Sequence, residues 1–186
     1  IIGENGAGKS TLMKILYGMV KPDSGEIKVD GQNVSFKSPN DAIDRGIGMV
    51  HQHFMLVPTL TAWQNIILGQ EPSLGSFNHN TVIERLEKLK TDFGFHFDLT
   101  ARAEDLSVGH QQQVEILKLL YQQADLLILD EPTNHLDIPA KEMLESALKV
   151  YEGTVLIVSH DRYFISQVAN KIVEIRDGEL IAYAGD

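Results

Sequence analysis

The sequence predicts an α/β fold: a mainly parallel sheet flanked by helices, with a helical insert. Three observations carry this. Apolar runs of strand length alternate with segments of helical period, the pattern of strand–helix–strand crossovers. The stretch GENGAGKST, Gly3 to Thr11, follows an apolar strand end and opens a helix. From about 55 to 123 helical spacing dominates, which marks an insert between sheet strands.

Taken in order, Ile1-Ile2 reads as the end of a strand, and a glycine-rich turn leads into a helix to about Met19. EIKVDGQNVSF gives two short strands around Asp30-Gly31, a hairpin signal. SPNDAIDRG is a short helix with Ser38 as N-cap and Pro39 at its first position. IGMVHQ is a strand, and TAWQNIILG begins a helix whose Thr61 and Gln64 form a capping box. Val82, Ile83, Leu86, Leu89 and Phe93 keep helical spacing from Asn80 onward, and a further helix runs from Ser107 to about Gln123. LLILD is a buried strand, Pro139 opens a helix to about Val150, and TVLIVSH is another strand. KIVEIRDGELIAY closes the chain as a hairpin turning at Asp177-Gly178. No repeat, linker or low-complexity segment interrupts the pattern. The expected organisation is one domain over 1–186 with a helical subdomain at about 55–123.

The composition narrows the function. With 26 acidic and 16 basic residues the net charge is −10, which argues against a broad nucleic-acid-binding face. There are no cysteines, so neither disulfides nor thiolate metal sites are available. No apolar run approaches the roughly 20 residues that span a bilayer. No signal peptide is visible, and the chain begins at Ile1 rather than Met.

GENGAGKST supplies the strongest chemical signal. It fits G-x-x-x-x-G-K-[ST], with Gly3, Glu4, Asn5, Gly6, Ala7, Gly8, Lys9, Ser10 and Thr11 forming a phosphate-binding loop. Glycines let the backbone curl its N–H groups toward phosphate oxygens, and the following helix adds its positive end. Lys9 is placed to reach β- and γ-phosphates, and Ser10 to ligate Mg²⁺. In LLILDEPTNHLD an apolar strand delivers Asp130 and Glu131 at its C-terminal end, the edge where open α/β sheets bind ligands. Asp130 suits the Mg²⁺ shell, and Glu131 suits a base for an attacking water. His160 ends the strand TVLIVSH, and Gln52 ends the strand in MVHQHF, where an amide can contact Mg²⁺ or the water. Each of these also has a plain structural reading on its own: solvated loop acids, a capping histidine, an exposed amide. His51 and His53 lie two apart on a strand, with no third metal ligand near in sequence.

In this order, phosphate loop, strand-end Gln, LSVG helix, LILDEPT, NHLD and strand-end SH, the chain resembles the nucleotide-binding domain of ATP-binding-cassette (ABC) proteins along essentially its whole length. The resemblance implies a P-loop NTPase fold of the ABC type and a Mg-dependent ATPase that binds ATP on GENGAGKST. It further implies head-to-tail pairing with a second nucleotide-binding domain, whose nucleotide Ser107 and Gly109 of LSVGHQQQVEIL would contact in trans. The family's commonest signature is LSGGQ. Here Val108 and His110 depart from it, and Gln113 stands where arginine is frequent. The family's adenine-stacking aromatic lies upstream of the phosphate loop. The chain is accordingly expected to be an N-terminally truncated fragment lacking the first strands.

The resemblance divides along the chain. GIGMVHQHFMLVPTLTAWQNIILG and EDLSVGHQQQVEILK look like the ATPase subunits of simple-sugar or nucleoside importers. From Asn134, NHLDIPAKEMLESAL and VSHDRYF look like the soluble F-type cassettes that act on ribosomes. F-type proteins insert a long helical arm between the Gln loop and the signature, whereas 54 residues lie between Gln52 and Ser107 here. Together with the acidic balance this favours the importer. Its implied partner is a transmembrane permease, with Met55, Leu56, Val57, Leu60 and Trp63 either receiving the permease's coupling helix or packing the helical insert. The implied location is cytoplasmic, peripheral on the inner face of the plasma membrane, with no direct nucleic-acid partner.

Overall fold

The computed structural model of the protein describes residues 1–52, 54–70, 78–134 and 136–184. β1 (Ile2–Gly3) leads through a loop to α1 (Lys9–Leu16), and β2 (Ile27–Val29) turns into β3 (Gln32–Val34). α2 (Pro39–Ile43) and β4 (Ile47–Val50) come next, then α3 (Ala62–Ile67), α4 (His79–Asp92) and α5 (Val108–Tyr121). The remainder alternates: β5 (Leu126–Asp130), α6 (Ile138–Val150), β6 (Thr154–Val158), α7 (Arg162–Val168), β7 (Lys171–Arg176) and β8 (Glu179–Ala184). These elements fall into two compact units: Ile1–Met49 with Ala124–Pro132 and Gly153–Asp186, and Val50–Gln123 with Thr133–Glu152.

The first unit carries the sheet strands. One sheet has the order β1-β7-β8 and another β4-β5-β6, with β2-β3 as a separate hairpin. β1 runs parallel to β7 with Ile2 opposite Glu174, and β5 runs parallel to β6 with Asp130 opposite Val158. β5 is apolar without alternation because both of its faces are covered: Leu127, Ile128 and Leu129 are at most 1% exposed. The core gathers Met13 and Tyr17 from α1 and its C-cap, Phe36, Ala42, Ile47 and Met49, with Ile128 and Val158 from the parallel strands. Both hairpins turn at Asp-Gly pairs in the left-handed region, with φ of 51° and 77° at Asp30-Gly31 and 52° and 80° at Asp177-Gly178. Positive φ at both central residues suits the right-handed twist of the flanking strands.

α1 ends at Leu16, short of the Met19 expected from its apolar pattern. Gly18 turns left-handed at φ 76° and Met19 N–H folds back onto the Lys14 carbonyl at 2.8 Å, so the glycine closes the helix. Ser38 stands at the N-cap of α2 in extended backbone, but its hydroxyl makes no cap bond. α7 has no counterpart in the sequence reading. Asp161 caps it by accepting the Phe164 N–H at 3.1 Å, and Phe164 is fully buried.

The second unit is helical. Thr61 and Gln64 form the expected capping box at α3, and Asn78 rather than Asn80 borders α4. α5 packs against α3, α4 and α6, with Val114 and Leu117 fully buried on it. Asp137 caps α6 by accepting the Ala140 N–H at 3.0 Å, and Pro139 sits in its first turn, where no N–H is needed.

Candidate active site

The loop between β1 and α1 wraps the Lys9 ammonium. Nζ donates to the carbonyls of Gly3 and Glu4, each at 2.9 Å, and Lys9 is only 7% exposed. Gly6 and Gly8 take φ of 85° and 95°, the curl that turns successive N–H groups inward ahead of α1. Gly3 serves a different need: a Cβ there would lie 2.6 Å from the Ile175 carbonyl oxygen of β7. No side chain caps the start of α1. Its first N–H groups carry no side-chain cap, an arrangement able to receive an anion.

β5 brings Asp130 to the same place. Ser10, in the first turn of α1, donates its hydroxyl to Asp130 Oδ1 at 3.1 Å, and Asp130 is 4% exposed. Glu131, next along, adopts φ 50° while its N–H donates to the Val158 carbonyl at 2.8 Å. A non-glycine residue held left-handed costs about 1 kcal/mol or more and persists where surrounding contacts fix it. The Glu131 carboxylate is engaged twice by His160: the His160 N–H donates to Oε2 at 3.3 Å, and Nε2 lies 3.3 Å from Oε1. The Glu131 side chain is 13% exposed and the His160 side chain 51%, so the acid sits inside and the imidazole outside.

The structure thus brings Lys9, Ser10, Asp130, Glu131 and His160 together within the first unit. Their donor chemistry fits a magnesium–nucleotide. A hydroxyl and a carboxylate are the hard oxygen donors that Mg²⁺ takes, and a buried ammonium with curled backbone N–H groups takes phosphate.

The other predicted residues lie in the second unit. Gln52 is exposed and lines a cavity of about 420 Å³ with Phe54, Leu56, Val108, Gln111 and Asn134. Ser107 is the N-cap of α5, its Oγ accepting the His110 N–H at 3.3 Å. Gly109 is where α5 meets α6: a Cβ there would stand 2.8 Å from the Ala140 Cβ. The three departures from the usual signature have local roles or surroundings. Val108 is 42% exposed, and the His110 ring lies 6.5 Å from that of Phe97. Gln113 accepts the His96 N–H at 3.1 Å. The pairing of His51 with His53 falls outside the described residues at His53.

One residue the sequence reading passed over is Glu115. It is 5% exposed in the middle of α5, and its Oε1 accepts the Met55 N–H at 2.9 Å. Burial pushes its carboxyl above the ordinary glutamate value, against the downward pull of the Met55 N–H and the Lys118 charge. The only hint in sequence is an acid within an apolar helical stretch, VEILKLL.

Comparison with known proteins bears on the family and the fold. The guanosine import ATP-binding protein NupO of Bacillus subtilis is 44% identical over 183 residues, covering 96% of this chain and 36% of its own length. ABC transporter F family member 2 of Arabidopsis thaliana is 41% identical over 195 residues, covering 100% of this chain and 25% of its own length. The chain therefore spans little more than a third of the first of these relatives and a quarter of the second. Among solved structures, an ATP-binding cassette in a dimeric post-hydrolysis state bound to ADP and Pi superposes with a TM-score of 0.82 at 28% identity, over 98% of this chain and 82% of the other. The family model described as ABC transporter matches residues 1–134, from the phosphate loop through Asp130 and Glu131. With that match over most of its length and the cassette fold throughout, the chain belongs to the ABC transporter family, as one of its ATPase cassettes.

Proposed function

We propose that this chain hydrolyses Mg·ATP to power an importer of simple sugars or nucleosides, as the nucleotide-binding domain of a head-to-tail pair seated on a membrane permease. The observation that carries the ATPase reading is the Glu131–His160 pair beside Ser10 and Asp130. Lys9 exchanges the carbonyls of Gly3 and Glu4 for β- and γ-phosphate oxygens, a charge-assisted contact about twice as strong as a neutral one. Ser10 and Asp130 would hold the magnesium, which when bound would draw charge from the phosphate oxygens. Glu131 takes the proton of the attacking water, and His160 fixes the Glu131 carboxylate and meets the γ-phosphate from its exposed side. The role the family resemblance implies for Gln52 is a neutral amide that would contact the water or the magnesium.

Ser107 and Gly109 act on the partner domain's nucleotide, where the start of α5 offers N–H groups to an anion. The importer reading is supported by the 44% identity to a guanosine import protein and by the short stretch between Gln52 and Ser107. Among the described residues no helix is long and apolar enough to cross a membrane. We place the cassette at the inner face of the plasma membrane. The 41% identity to an F family member favours a second reading, a soluble cassette acting on the ribosome. Purifying the natural protein from membranes and from ribosomes separates the two. Recovery with a permease and solute-stimulated ATP hydrolysis is expected, and co-sedimentation with ribosomes would overturn the importer reading.

A further inference from the structure

α5 carries more than an apolar face. Three of its polar side chains hold backbone outside the helix. Gln111 Nε2 donates to the carbonyls of Ala103 and Leu106 at 3.1 and 3.0 Å. Gln113 accepts the His96 N–H, and Glu115 accepts the Met55 N–H. The first two ties secure the loop that leads into the helix. The third reaches the segment that follows Gln52, sixty positions away.

That third tie is costly. A carboxylate 5% exposed inside a helical core loses hydration, and the rise of its pKa above the ordinary value is the sign of that loss. The Met55 N–H is what partly offsets that cost. What the carboxyl gives is an acceptor for one backbone amide, the Met55 N–H. Just beyond that amide the chain presents Met55, 64% exposed, and Val57, 36% exposed, to solvent. Asn65 holds the far end of this ledge, accepting the Val57 N–H at 2.7 Å and donating to the Val57 and Leu60 carbonyls at 3.1 and 3.2 Å. The ledge is thus fixed at both ends, once by α3 and once by α5. Ser107 lies two helical turns before Glu115, about 12 Å along one unbroken helix.

We propose that Glu115 is a positioning residue: it couples the Ser107 end of α5 to the exposed Met55–Val57 ledge, so that nucleotide engaged at Ser107 shifts the surface offered to the permease. The proposal rests on the reading of Ser107 as a contact to the partner's nucleotide. A 14-residue helix moves as a body, and a single short tie at Met55 passes that motion to the ledge while Asn65 serves as its pivot.

Hydrogen exchange in the natural protein tests it at single amides. In Glu115→Ala the Met55 amide is expected to exchange at least tenfold faster, while the Val57 amide, held by Asn65, keeps its rate. Glu115→Gln, whose amide oxygen still accepts, is expected to retain protection at Met55. Unchanged Met55 exchange in Glu115→Ala, or equal loss at Val57 and along α5, would overturn the positioning role. In the Glu131→Gln background, ATP is expected to alter exchange at Met55 with Glu115 present and not with alanine there, while protection gained at His110 persists in both. If ATP leaves His110 unaffected even with Glu115 in place, the Ser107 reading fails. The nucleotide-free comparison of Met55 with Val57 then still decides whether Glu115 is the clamp.

Discussion

Glu131 and His160 grip each other through two contacts, backbone N–H to Oε2 and Nε2 to Oε1, both at 3.3 Å. The register of β5 and β6 makes this possible, because Asp130 lies opposite Val158 and both strands end at the same edge. The strained backbone of Glu131 turns its carboxylate toward His160.

Glu131→Gln keeps the size and the hydrogen-bond acceptor but removes the proton acceptor. Phosphate release is expected to fall on the order of 10²- to 10⁴-fold, the usual worth of a general base. Nucleotide binding, read as the melting shift caused by Mg·ATP, should survive. A variant that hydrolyses normally would remove Glu131 from the base role.

Lys9→Ala tests the loop. At 100 times its dissociation constant a ligand stabilises the fold by about 2.7 kcal/mol. In the natural protein Mg·ATP should produce a melting shift of several degrees that largely disappears with Lys9→Ala. An equal shift in both would mean that nucleotide binds elsewhere.

Ser107→Glu sets a negative charge where the partner's phosphate is expected. Combined with Glu131→Gln, it should abolish the ATP-dependent pair seen by light-scattering mass while leaving each domain's own ATP binding nearly unchanged. Weaker binding in the isolated monomer would show that Ser107 acts in cis.

The buried Glu115 carboxyl gives a pH signature. Its folded-state pKa lies above the ordinary value, so the folded chain holds this proton more tightly than the unfolded one. Its contribution to stability is therefore full below the unfolded value, about 4.3, and is lost as pH rises through the folded value. Glu115→Gln removes the titration. Its melting temperature should gain on the parent's as pH rises from 4 to 8, and a gap that stays flat would contradict the raised pKa.

Much of the site was legible because its signals are local. Lys9 and Ser10 sit at fixed offsets from glycines, and Asp130 closes an apolar run, so spacing alone placed them. Two features were not legible for the same physical reason. The Glu131–His160 contact depends on the register of two strands, and the Glu115–Met55 bond ends on a backbone amide, a group every residue but proline carries. α7 was missed because its seven residues bury chiefly Phe164, too little for a helical period to show. The end of α1 was overrun because the apolar pattern continues past Gly18, while the backbone does not.

The close approach of Gly109 to Ala140 binds the fates of two codons. With only 2.8 Å between a would-be Cβ and the methyl opposite, position 109 has no room to grow unless something there shifts. A drift from glycine to alanine at 109 would require the two helices to shift or the methyl at 140 to be lost. Position 109 in the LSVG helix and position 140 in the helix after NHLD are therefore coupled in what they tolerate. Recombination between cassettes that exchanges one of these segments without the other carries a steric penalty at this one point.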